Sequence, residues 1–171
     1  HYASEIQTET FGCGLDAFLR SRTQDITGIL NGIDTEEWNP ATDKNLPSNF
    51  SHANLYGKTI CKNALQKKFY LEENPHTPIF AVVSRLYHQK GLDMLLGIID
   101  KLLQTMSLQL VILGSGEEYL EHGFTHLAHQ YRGKVGVYIG YNNALAHLIK
   151  AGSDFFIMPS RFEPCGLSQL Y

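Results

Sequence analysis

Ile79-Phe80-Ala81-Val82-Val83, with Ser84-Arg85-Leu86 and Gln89-Lys90-Gly91 directly after it, carries the clearest structural signal in the chain. A short, unbroken apolar run of this kind is what a strand buried on both faces of a parallel sheet requires. After Gly91, the residues Leu92, Leu95, Leu96, Ile99, Leu102 and Leu103 fall on one side of a helix. The same alternation then repeats. Leu108 to Leu113 predicts a second strand, and Gly114-Ser115-Gly116 leads into a helix of about fifteen residues. Val135 to Gly140 predicts a third strand, Ala144 to Ala151 a third helix, and Phe155 to Met158 a fourth strand. Strand and helix alternating with short connections mean βαβ units. The fold class is therefore α/β, a Rossmann-like parallel sheet with helices on both faces. Ligands of such sheets bind beyond the carboxyl ends of the strands.

Upstream, a helix is expected from Asn54 through Phe69, terminated by Pro75 and Pro78. Trp38-Asn39-Pro40 to Pro47-Ser48-Asn49 is rich in turn formers and predicts a linker or domain boundary. Ile26 to Leu30 predicts a short strand running into the turn Asn31-Gly32. Leu15 to Leu19 predicts a loop and a short helix.

Composition limits the function classes. The chain has 171 residues, is 43% hydrophobic and 18% charged, and carries a net charge of -3. That size suits one globular domain, or one domain and a piece of another. A disordered chain would be less apolar and more highly charged. With no basic run there is no electrostatic footprint for nucleic acid or an anionic membrane. Cys13, Cys61 and Cys165 are odd in number and form no C-x-x-C pair, so a disulfide framework or zinc site is disfavoured and a reducing compartment expected. No apolar run approaches the roughly 18 residues of a membrane helix. The first residue is His1, and Tyr171 follows a dense run of unusual residues, which predicts a fragment.

The strand ends hold the candidate chemistry. Arg85 and Lys90 are two cations five residues apart, beside an expected helix N-terminus whose N–H groups and dipole favour anions. Cations near a helix start are mildly unfavourable, and a diphosphate would supply a reason for them, with two solvated surface charges as the equal alternative. Gly114-Ser115-Gly116 lacks the third glycine of a dinucleotide fingerprint and is followed by Glu117-Glu118, which favours a tight turn over a phosphate cradle. After the fourth strand comes Pro159-Ser160-Arg161-Phe162-Glu163-Pro164-Cys165-Gly166-Leu167-Ser168, with a helix start expected near Gly166. Glu163 is placed to act on a bound group, and backbone N–H groups of 166–168 to accept an anion. Cys165 has no evident partner base and is expected to be a packed thiol. His122, His126 and His129 share a helix face but lack a further ligand, which favours a solvated face over a metal site.

These residues resemble a known family. Ser84-Arg85-Leu86 with Gln89-Lys90-Gly91-Leu92-Asp93 is similar to the S-R-L-x-x-Q-K-G-x-D motif of bacterial glycogen synthases and plastid starch synthases. Met158 to Leu167 is similar to their M-P-S-R-F-E-P-C-G-L signature. Tyr2-Ala3, Glu5-Ile6, Gly28 to Asp34, Trp38-Asn39-Pro40 with Thr42-Asp43, and Ala146-His147 with Ala151-Gly152 and Asp154 follow in family order.

The resemblance implies a two-lobed GT-B glycosyltransferase, with residues 1–33 as the tail of the N-terminal lobe and hinge. Residues 34–171 would be most of a truncated C-terminal nucleotide-sugar lobe. It implies retaining transfer of glucose from ADP-glucose to the non-reducing end of an α-1,4-glucan, with no metal or other cofactor. Carried over by motif, Arg85 and Lys90 bind the diphosphate and Glu163 supports the cationic sugar. Cys165, Gly166, Leu167 and Ser168 hold phosphate and glucose, with Ser168 where the family usually has Thr or Asn. Tyr141 stacks on adenine, and Asn31 lies at the hinge. The partners implied are ADP-glucose and glycogen or starch, in bacterial cytoplasm or plastid stroma.

The family's Lys-x-Gly-Gly-Leu and Thr-Gly-Gly-Leu segments are absent, so the chain alone is expected to have little synthase activity. The competing readings are a sucrose-synthase-type enzyme using UDP-glucose, a non-catalytic glucan- or nucleotide-binding homologue, and a nicotinamide dehydrogenase. The incomplete glycine fingerprint disfavours the last.

Overall fold

A computed structural model describes all 171 residues. Its centre is a four-stranded sheet of β1 (Ile79–Val83), β2 (Gln109–Gly114), β3 (Val135–Ile139) and β4 (Phe155–Phe156). The spatial order is β3-β2-β1-β4 and every pairing is parallel. The fourth strand is two residues long, shorter than the expected Phe155 to Met158, because its ladder with β1 ends at Ala81↔Phe156. Beyond that point the chain turns away toward the site, after the Ile157 N–H donates to the Ala81 carbonyl.

Strand periodicity divides the core in two. Val82, Leu110, Ile112 and Val135 face α4 (Leu92–Thr105) and α5 (Glu118–Gln130), where Leu92, Ile99, Leu103, Leu120 and Phe124 complete one cluster. The alternate residues Ile79, Ala81, Val111 and Leu113 face α3 (Tyr56–Lys68) and α6 (Asn143–Gly152), meeting Leu65, Leu145 and Ile149. Both sheet faces are therefore covered by helices, as the unbroken apolar runs demand. Each fully buried Leu or Ile contributes on the order of 2 kcal/mol of transfer free energy. The Asn142 side chain caps α6 by accepting from the Leu145 N–H at 2.9 Å.

Gly114-Ser115-Gly116 is not the tight turn expected from the sequence: it continues β2 alongside the loop after β1, with Leu86 and Gly116 in a parallel bridge. A Cβ on Gly114 would stand 1.9 Å from the Ser84 carbonyl oxygen, and one on Gly116 2.3 Å from that of Leu86. These glycines let β2 and the loop after β1 run in backbone contact, and the Gly116 N–H already donates to Glu121 Oε1 at 2.7 Å. No phosphate cradle remains there.

The N-terminal third departs from expectation in several places. Ile26 to Leu30 is extended but pairs with no strand, and Ile29 and Leu30 are 88% and 80% exposed. An apolar run becomes a strand only where a neighbouring strand satisfies its N–H and C=O groups, and this segment has none. Two short helices precede it, α1 (Tyr2–Glu5), which the sequence pattern did not predict, and α2 (Asp16–Ser21). The turn-rich segment 38–49 is not a loose tether. Asp43 is buried, and the Trp38 ring stacks on His147 of α6 with centroids 3.8 Å apart. No helix is long and apolar enough to cross a membrane.

Candidate active site

The sheet order places the candidate residues. The chain leaves β1 for β2 on one side, while β4 lies on the other, so the connections diverge between β1 and β4. In an open parallel sheet that divergence opens a crevice at the carboxyl ends of the two strands. A cavity of about 320 Å³ lies there, walled by Val83, Ser84, Arg85 and Lys90 from the first strand's loop. Phe156 to Ser160, Glu163 and Cys165 to Ser168 close the other side, with Asn31 at the rim. Eight of the nine residues singled out from the sequence thus line one cavity.

The ninth, Tyr141, borders a second cavity of about 250 Å³ against the first. Both cavities share Val83, Ser84 and Arg85. Tyr141 is 87% exposed just after β3, so its ring face is free to stack on a planar group.

Lys90 and Glu163 meet across the crevice as an ion pair, each side chain largely buried. Ser160 Oγ donates to the same Glu163 oxygen at 3.3 Å. Arg85 is exposed and has no carboxylate partner, its guanidinium carbon lying 5.7 Å from the Tyr87 ring centroid. The three charges leave the walls net positive. Asn31 is tied to the opposite wall: its backbone N–H points to Cys165 Sγ at 3.3 Å and its side chain donates to the Cys165 carbonyl at 3.2 Å. The Cys165 thiol is thus packed against Asn31, with no base beside it, as the sequence favoured.

Two expectations are corrected. The first turn of α4 does not enter the cavity, where only Lys90 from that region forms wall. Its place is taken by the loop after β4, whose Pro159 carbonyl abuts Gly91. The helix start expected near Gly166 is seen as one turn only. Residues 167–171 make a single turn in which the Leu170 and Tyr171 N–H groups donate to the Leu167 carbonyl.

A brace invisible to the sequence reading holds the walls in register. Arg161 forms a two-pronged salt bridge to Asp93, Nη1 to Oδ1 at 2.6 Å and Nη2 to Oδ2 at 2.7 Å. Arg161 Nη1 also donates to the His88 carbonyl at 2.6 Å. The Arg161 N–H donates to the Gln89 carbonyl at 2.9 Å, and Gln89 Nε2 returns a bond to the Phe162 carbonyl at 3.3 Å. The Arg161 guanidinium holds the Asp93 carboxyl down to about 2. Both residues belong to the motifs, but their pairing spans 68 positions and nothing local signals it. Histidines 122, 126 and 129 lie on the exposed face of α5 and line neither of the two cavities.

Comparison with known proteins agrees with this architecture. Residues 64–170 match the family model for glycosyl transferases group 1. The chain belongs to that family. Glycogen synthase 1 of Geobacter sulfurreducens is 49% identical over 170 residues, covering 99% of this chain and 34% of the relative. Glycogen synthase of an Anaeromyxobacter species is 51% identical over the same length, 36% of that relative. The catalytic domain of starch synthase IV from Arabidopsis thaliana, solved bound to ADP and acarbose, superimposes with a TM-score of 0.91 at 39% identity. It matches 99% of this chain and 35% of the solved one. The chain spans about a third of the length of these relatives. Its parallel α/β sheet matches part of a starch synthase catalytic domain, in keeping with the fold class expected from the sequence.

Proposed function

We propose that this chain is the nucleotide-sugar half of a glycogen or starch synthase, which transfers glucose from ADP-glucose to the non-reducing end of an α-1,4-glucan. The observation that carries it is the pair of adjoining cavities sharing Ser84 and Arg85. One has cations and a carboxylate, the other an exposed tyrosine, which suits a diphosphate and sugar joined to a base. The relatives named glycogen synthase and the starch synthase solved with ADP support the same assignment.

In this reading Arg85 and Lys90 hold the diphosphate. Negative charge builds on ADP as the sugar leaves, so fixed cations stabilise the transition state more than the ground state. The backbone of 165–168 lies along phosphate and glucose, and Glu163 faces the oxocarbenium-like sugar. Tyr141 stacks on adenine. Residues 1–33 would belong to the tail of the other lobe, with Asn31 at the hinge. Leaving-group charge is carried by side chains, so turnover is expected to survive metal chelation.

Calorimetric titration with ADP, ADP-glucose and UDP-glucose tests the assignment. Binding of both ADP compounds, with UDP-glucose at least tenfold weaker, is the expected result. Preference for UDP-glucose would move the chain to a sucrose-synthase-type enzyme. The acceptor must be held between two lobes, so the 171-residue chain is expected to bind ADP but to elongate glucan negligibly. Near-normal glucose incorporation by this chain alone would overturn the two-lobe requirement.

A further inference from the structure

Behind the cavity lies a lysine in an unusual setting. The ammonium nitrogen of Lys150, on α6, sits 4.7 Å from the ring centroid of Trp38, 5.2 Å from that of Phe156 and 4.6 Å from that of Tyr171. Its hydrogen bond goes to the Ser168 carbonyl at 3.2 Å, and no carboxylate pairs with it. Phe156 and Ser168 both line the site cavity, so the ammonium contacts the reverse side of two wall residues. Burial alone lowers its pKa to about 8.

A cation withdrawn from water without a counter-ion disfavours folding relative to an apolar side chain of the same shape. The aromatic faces offset part of that. The remainder has a use in what the charge holds.

We propose that Lys150 is a positioning residue of the nucleotide-sugar site, its ammonium fixing the Ser168 peptide and coupling the 165–168 wall to Trp38. The proposal rests on the site assignment above. Charge-assisted hydrogen bonding from Lys150 is strongest while the lysine is protonated. Deprotonation therefore loosens the wall on which the phosphates are expected to lie. The other ionisable groups around the cage are His147, which stacks on Trp38, Asp43 and Glu37 beside His147, and the Tyr171 phenol.

Folding and binding then respond to pH with opposite signs. The unfolded chain keeps the Lys150 proton up to the ordinary 10.5, whereas the folded chain releases it near 8. Between those values the unfolded state binds more protons, so stability gains as pH rises. ADP affinity falls over the same range. A purely structural lysine would show the first effect without the second.

The test compares wild type, Lys150→Met and Lys150→Arg by ADP calorimetry from pH 6.5 to 9, with emission of Trp38, the chain's one tryptophan, read in parallel. Wild-type affinity should decline through pH about 8. Lys150→Met should bind ADP about tenfold more weakly at pH 7, the loss of one charge-assisted hydrogen bond, with no pH step. Lys150→Arg should retain most affinity and move the step beyond the range. ADP should alter Trp38 emission in wild type and not in Lys150→Met. Equal ADP affinity in wild type and Lys150→Met, or a pH step that survives in Lys150→Met, would overturn the proposal and leave the site assignment standing. Failure of wild type to bind ADP at any pH would overturn both.

Discussion

Gly91 lies where the two walls of the crevice meet without room for a side chain, so Gly91→Ala is a direct test of how the site is held. Gly91 has φ of +68°, and a Cβ built on it lies 2.1 Å from the Pro159 carbonyl oxygen. Holding alanine in the left-handed region costs about 1–2 kcal/mol. Real Cβ contacts essentially never fall below 3.0 Å, so the loop at Pro159 must retreat by about 0.9 Å, the difference between 3.0 and 2.1. Forcing packed backbone apart costs roughly 1–3 kcal/mol more. The expected loss is about 2–5 kcal/mol, measured by urea denaturation.

The functional effect has its own logic. Glu163 follows Pro159 by four residues and Lys90 precedes Gly91 by one, so the retreat separates the two charged groups. In the proposed two-lobed enzyme, a displacement near 1 Å is enough to reduce turnover by about a hundredfold. ADP affinity of the present chain should fall with it. Gly97→Ala is the matched control. Gly97 lies in α4 with nothing within 4 Å of a Cβ, and that change should stabilise by about 0.5–1 kcal/mol. If Gly91→Ala matched wild type within about 0.5 kcal/mol and bound ADP normally, the close contact would not be what sets the site.

Glu163→Gln removes the carboxylate that competes for Lys90 and should strengthen ADP binding severalfold while cutting glucose transfer at least a hundredfold, which calorimetry and radiolabel incorporation would separate. Asp43→Asn weakens the buried contact of His147 Nδ1 with Asp43 Oδ2 at 2.6 Å, and should lower stability by about 1–3 kcal/mol in denaturant titration. The Arg161–Asp93 brace should depend on acid in a defined way. The Asp93 carboxyl is depressed from 3.8 to about 2, so its stabilising effect is complete above pH about 4 and is lost as pH falls toward 2. Asp93→Asn should flatten that part of the stability–pH curve.

The sheet was legible in the sequence because its strands are apolar on both faces and its helices apolar on one. Leu110 and Ile112 serve one core while Val111 and Leu113 serve the other, and an unbroken run is the only pattern that satisfies both. Ile26 to Leu30 shows the limit of such patterns, since a strand is a property of two segments and the window contained one. The candidate site was legible for a different reason. Arg85, Lys90, Glu163 and Cys165–Ser168 all follow strands, and parallel topology gathers every such loop at one edge. What stayed hidden were contacts between loops distant in the chain, namely Arg161 with Asp93, Asn31 with Cys165, and Lys150 with Trp38. Trp38-Asn39-Pro40 read as a linker because its turn formers are local, whereas the burial of Trp38 on His147 depends on α6, more than a hundred residues later.

The topology explains why so many contacts concentrate on two short loops. Backbone pairing between β1 and β4 stops at Ala81 and Phe156, after which the two chains diverge. A crevice formed in that way has no sheet ladder to fix its width. Its walls must be joined by other means, and here they are joined by the backbone bond from Arg161 to Gln89, the Arg161–Asp93 bridge and the Pro159–Gly91 contact. With the width set, Lys90 and Glu163 can neutralise one another, which spares each the several kcal/mol that a largely buried lone charge would cost. Arg85, outside the pair, keeps the crevice net positive. An entering diphosphate brings more than one negative charge and competes directly for Lys90. Once Lys90 turns to the phosphates, the Glu163 carboxylate is left without its cation at the moment a developing sugar cation can take that place. One ion pair thus stores both charges that the proposed transfer uses, and the brace of Arg161 keeps them within reach of each other.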